Sequence, residues 1–156
     1  MKVHQTTLLL LLFVSACSRD HENSMPPPPT GLQAMMTGKW TINNVTTLYF
    51  DSTGEPFGVG KNLYVTPPGY YFQFNSNSTW MEVLADTLSI NGMEGTYSIA
   101  GDSSFILVNP AAPGPETCIV DTLTSSMFVF HHERSTHYNG VTPGFLRYRF
   151  HMTRGN

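Results

Sequence analysis

The sequence predicts an all-β domain: eight antiparallel strands in up-and-down order, closed into a barrel, with a β-sandwich as the alternative. Three observations predict it. Short runs rich in Thr, Val, Ile and aromatic residues recur from Gly38 onward, parted by Gly, Pro, Asn and Asp. With 13 Gly and 11 Pro among 156 residues, and charged residues at only 12%, the composition argues against a helical bundle or coiled coil. The last run alternates strictly: Leu146, Tyr148, Phe150 and Met152 share one face while Arg147, Arg149 and His151 share the other.

The strands are preceded by a segment of different character. Lys2 is the one charge in residues 1–16, and Leu8 to Val14 form an apolar run that ends at Ser15 and Ala16. That run is far shorter than the roughly 20 residues of a membrane span and reads as an export signal. Val14-Ser15-Ala16-Cys17 resembles the lipobox of bacterial lipoproteins. The resemblance implies cleavage before Cys17, diacylglycerol on its sulfur and a further acyl chain, such as palmitate, on its amine. Membrane lipid then becomes a partner through Cys17. Ser18 after that cysteine implies, by the same resemblance, an outer-membrane destination within the cell envelope. Residues 17–36 carry Pro26-Pro27-Pro28-Pro29 and read as an extended tether, which leaves 37–156 for the folded domain.

Within that domain the expected strands are Thr41 to Phe50, Tyr70 to Asn75, Thr79 to Leu84, Thr87 to Ile90, Gly95 to Ile99, Phe105 to Val108, Thr117 to Leu123, Met127 to His132 and Phe145 to Met152. A helical turn is expected at Leu32 to Thr37. The Gly- and Pro-rich stretch from Gly54 to Gly69 is expected as a long loop at a barrel mouth, placed to act as a lid. Lipid on Cys17 leaves Cys118 without an intramolecular disulfide partner, and with no basic neighbour in sequence it reads as a small buried hydrophobe.

Gly38-Lys39-Trp40 at the start, Gly95-Thr96-Tyr97-Ser98-Ile99 with Gly101-Asp102, and Leu123-Thr124 before Met127 to Phe130 resemble the lipocalin-like domain of small bacterial lipoproteins. The resemblance covers about Thr37 to Arg154. It implies that Trp40 sits at the closed end of the barrel beside Gly38, with an arginine of the last strand packed across it. Closure of an antiparallel barrel sets the first strand beside the last, and Arg154 shares the parity of Met152, so Arg154 is that arginine. By alternation Tyr70, Phe72 and Phe74 face inward, and Phe128, Phe130, Tyr148 and Phe150 join them as candidate ligand-lining residues. In a barrel of this size such rings either fill the lumen or line a pocket for one apolar molecule, and filling is the commoner outcome.

Other chemistry is thinly represented. The 8 basic residues against 11 acidic and a net charge of -3 leave no footprint for nucleic acid. His131, Glu133 and His137 are the residues that a hairpin end would offer to a metal, but adjacent His131 and His132 point to opposite faces. A solvated strand end without metal or cofactor is the expected state. No hydrolase or metalloprotease motif occurs, so no catalytic residue is assigned and the chain is expected not to be an enzyme. Glu82, Asp86 and Glu94 flank strands and are expected as solvated rim charges. Asp51-Ser52-Thr53, Asp86-Thr87-Leu88 and Asp121-Thr122-Leu123 match a short bacterial O-glycosylation pattern. The expected function is a lipid-anchored, non-catalytic binding module for a small apolar ligand. Its alternative is a structural subunit of an outer-membrane assembly, in which a filled barrel meets an envelope protein through its loops.

Overall fold

Pairing of the first strand with the last closes the sheet. The computed structural model describes residues 31–56, 62–85, 90–138 and 142–155, and for 62–64, 85, 90–91, 138 and 142–143 the backbone alone. The expectations for residues 1–30, including Cys17 and most of the tether, and those for Phe57 and residues 86–89 lie outside the described residues.

A short helix α1 (Leu32–Met36) is followed by β1 (Gly38–Asp51), β2 (Asn62–Val65), β3 (Tyr71–Phe74), β4 (Thr79–Ala85), β5 (Ile90–Gly101), β6 (Ser104–Val108), β7 (Glu116–Leu123), β8 (Met127–Tyr138) and β9 (Thr142–Arg154). From β3 to β9 every strand pairs antiparallel with the next, and β9 runs along β1 from Trp40↔Arg154 to Asp51↔Gly144. The barrel is therefore closed, and the sandwich alternative is excluded.

β2 was not expected, and it shares one edge of β1 with β3. Thr41 pairs with Tyr71, whereas Asn44 pairs with Val65, and Pro67, Pro68 and Gly69 lie between the two ladders. Proline has no N–H to give to a ladder, so the pairing breaks there and resumes beyond it. Thr66 N–H to the Asn43 carbonyl (3.1 Å) and Ile42 N–H to the Tyr70 carbonyl (2.9 Å) hold the two pieces on β1. Together β2 and β3 make one interrupted stave, giving eight staves in all. The four residues Asn62–Val65 of the stretch expected as a mouth loop are thus wall.

The up-and-down order puts the connections after β3, β5 and β7 at one end, with α1, and those after β1, β4, β6 and β8 at the other. At the α1 end the connections are tight. In Asn75-Ser76-Asn77-Ser78 the Asn77 side chain accepts from Thr79 Oγ1 (2.7 Å), and Tyr97 Oη donates to the Asn75 carbonyl (2.9 Å).

The Gly38-Lys39-Trp40 start is explained at this end. Trp40 is fully buried and its Nε1 donates to the Met36 carbonyl (2.6 Å), which ties α1 across the barrel floor. Arg154 Cζ lies 4.2 Å from the Trp40 ring centroid, and Nη1 donates to the Thr37 carbonyl (2.8 Å). Gly38 has φ 127°, and a Cβ there would sit 2.7 Å from Arg154 Nη1, so glycine admits the guanidinium. Phe74, Phe105, Phe128 and Phe130 are also fully buried and pack edge-on or tilted, with Phe74 5.4 Å from Tyr97 and Phe128 5.3 Å from Trp40. Cys118 lies in the same core. The closed half of the lumen is therefore solid.

Candidate functional site

Above Phe130 the lumen opens. A cavity of about 470 Å³ is floored by Phe72, Trp80, Leu107, Phe130 and Phe150, and walled by Glu82, His132 and Tyr148. Phe72 and Glu82 are directly paired across β3 and β4, so both side chains leave the sheet on its inner face. Phe130 and Phe150 stack at 4.9 Å and 15°, and His132 stacks on Tyr148 at 5.2 Å and 13°. The rim is formed by Glu116, Arg134 and the 109–115 connection, whose Asn109 side chain accepts from Ala111 N–H (2.8 Å).

The residues expected to line the lumen divide by depth. Phe74 and Phe128 belong to the solid half, Phe72, Phe130, Tyr148 and Phe150 line the cavity, and Tyr70 packs part-buried against the core from the segment before β3. The rim connection that reaches the cavity is 109–115, not the described part of 54–69.

Glu82 overturns an expectation. It is 6% exposed, inside the lumen, and not a rim charge. Its parity was legible, since Glu82 follows Trp80 by two residues; the assumption that a carboxylate stays outside was the error. Burial, reinforced by the nearby charge of Glu116 and opposed by Arg134, pushes its pKa up to about 7. Glu94, the residue after the Glu82 partner Met93, is exposed as expected.

Two buried nitrogens at the cavity, Trp80 Nε1 and His132 Nδ1, have no hydrogen-bond partner among the described residues. Trp80 is 4% exposed and His132 is 7% exposed. A buried donor or acceptor left unmatched costs about 1–3 kcal/mol, so both atoms are poised to gain from a polar group placed in the cavity. Gly95 makes the indole position available: a Cβ there would lie 3.0 Å from Trp80 Nε1 and 1.9 Å from the Val108 carbonyl oxygen. Glu116 Oε2 stands 3.6 Å from His132 Nδ1, while Glu116 Oε1 accepts from Arg134 Nε (2.8 Å) and Nη2. Burial holds the His132 pKa below its usual value, with Glu116 opposing and Arg134 and His131 reinforcing, so the ring is neutral near pH 7. Burial, and secondarily Glu116, pushes the Cys118 thiol far up, which keeps it protonated and unreactive.

On the outer wall, His131 Nδ1 bonds Asp121 (3.0 Å) and Glu133 accepts from Arg147 Nε (2.9 Å). Burial raises the Asp121 pKa, but hydrogen bonds from Arg149 and His131 outweigh it and hold the carboxyl below its usual range. Among the described residues no three His, Cys, Asp or Glu side chains converge as a metal site. His131 and Glu133 are thus engaged with separate partners and do not meet.

No family model matches the sequence, and no curated protein sequence matches it. Among solved structures, the chain is similar to a deswapped triple mutant of bovine odorant binding protein, with 12% identity, 78% of this chain and 74% of that chain covered, and a TM-score of 0.44.

Proposed function

We propose that this protein is a lipid-anchored cell-envelope binding protein whose barrel holds one small, largely apolar molecule in the open half of its lumen. The observation that carries this reading is the cavity of about 470 Å³ lined by aromatic rings, in which two buried nitrogens lack partners among the described residues. Its size falls within the range of about 300–1,000 Å³ typical of small-molecule sites, and its few polar groups on an apolar lining match their usual make-up. A scaffold barrel has no need of an open half. The anchor rests on the sequence Val14-Ser15-Ala16-Cys17, with outer-membrane placement following from Ser18.

Binding is tested by titrating the purified full chain with N-phenyl-1-naphthylamine and reading the probe's fluorescence. Saturable enhancement is expected, and Leu107→Trp, which adds bulk to the cavity floor, should weaken it at least tenfold. Equal enhancement in the filled variant overturns lumen binding. The anchor is tested separately, by the mass of the chain recovered from bacterial membranes. Cys17→Ala should remove the acyl mass and release the protein, and membrane retention by that variant overturns the anchor.

A further inference from the structure

Formal charge in the open half of the lumen does not balance. Glu82 of β4 and Glu116 of β7 bring two carboxyl groups to the cavity, and Arg134 of β8 brings one guanidinium, already bound to Glu116. His132 of β8 is neutral, and Phe72 of β3, Met93 of β5, Leu107 of β6 and Tyr148 of β9 bring no formal charge. Glu82 is thus the deeper carboxyl and, among the described residues, the one without a cation of its own. The rings of Phe72, Trp80, Phe130, Tyr148 and Phe150 line the same cavity, and the negative quadrupole of an aromatic face favours a cation.

We propose that the molecule held in this lumen is a compact organic cation, with a protonated amine against Glu82 and an aromatic or apolar body among Phe72, Phe130 and Phe150. The inference rests on lumen binding and names the ligand class. Each polar group then has a use. The Glu82 carboxylate accepts from the ammonium, and His132 Nδ1 is a second acceptor when the neutral ring carries its proton on Nε2. Trp80 Nε1 donates to an oxygen on the ligand body. An anionic ligand such as a fatty acid would add a third negative group, facing one indole N–H and a guanidinium already engaged, and is disfavoured.

Three ligands on one ring system test this: 2-(1-naphthyl)ethylamine, 2-(1-naphthyl)ethanol and 1-naphthylacetate, titrated calorimetrically into the full chain at pH 8. The amine should bind at least tenfold more tightly than the alcohol or the carboxylate. Its affinity should fall between pH 8 and pH 6, as Glu82 takes up a proton. Glu82→Gln should bring the amine down to the affinity of the alcohol, and Glu82→Asp should retain the preference. If the carboxylate binds as well as the amine, or if the preference survives Glu82→Gln, the cation assignment is overturned while lumen binding stands. If none of the three binds, lumen binding and the cation assignment fall together.

Discussion

Glu82 shows how one side chain can set the chemistry of a lumen and weaken the fold that holds it. Desolvation disfavours its ionised form, so its folded pKa, about 7, stands above the ordinary value of 4.5. The folded state then binds the proton more tightly than the unfolded chain between those two values. Stability from this group is present in full below pH 4.5 and is lost as pH rises to about 7. Glu82→Gln removes that loss. Denaturant titrations should show no gain over the parent at pH 4 and a gain approaching about 3 kcal/mol at pH 8. A difference that is flat with pH would contradict the burial of a neutral carboxyl. The outer carboxylate Asp121 behaves in the opposite sense: its depressed pKa contributes stability that is lost as pH falls through the acid range.

Glycines in the strands act at the scale of the element. Gly95 lies between Trp80 on β4 and Val108 on β6, and the missing Cβ lets the β6 backbone approach and leaves the indole its place. Gly95→Ala would put a methyl group 1.9 Å from the Val108 carbonyl oxygen, which must force β5 and β6 apart. A loss of about 3 kcal/mol or more is expected by thermal melting, in the range of severe packing defects, together with reduced probe binding in the lumen. A variant of parental stability would show that the two strands are not held this closely. Irregularities also redirect β1: a bulge between Ile42 and Asn44 moves the inward face from Ile42 to Val45, which pairs with Phe150. Strict alternation read from Thr41 to Phe50 cannot register that shift.

Closure belongs to the whole molecule, and it depends on contacts between residues 93 to 114 positions apart. β9 pairs with β1 along nearly its full length, and at the closed end Arg154 bridges Trp40 and the Thr37 carbonyl. Arg154→Ala removes a cation over an indole and one hydrogen bond, and should lower stability by about 1–2 kcal/mol. Hydrogen exchange should show faster exchange of the amides in β1 and β9 near that end. Uniform acceleration across all strands would mean that closure has no local unit. The solid half and the open half also divide the work of the barrel. Rings from five strands fill one end and provide much of the hydrophobic gain of folding, which frees the other end to carry a buried carboxyl and two nitrogens unmatched among the described residues.

The sequence by itself determined most of the strands, though not β2 nor the unbroken run of β5 from Ile90 to Gly101, because period-two alternation and turn residues are local properties of the chain. It also determined which residues share a face, so that Phe72 with Phe74, and Phe128 with Phe130 and His132, were legible as inward sets. Only the tertiary structure decided how far up the lumen each ring reaches, since depth depends on the register of strands distant in sequence. It alone decided that the chain after Gly54 returns as wall at Asn62–Val65, since that pairing is with β1 and not with a sequence neighbour. The place of Glu82 was decided in the same way: alternation assigns a face, but only the closed wall with Phe72, Trp80 and His132 around it makes that face the interior of a cavity.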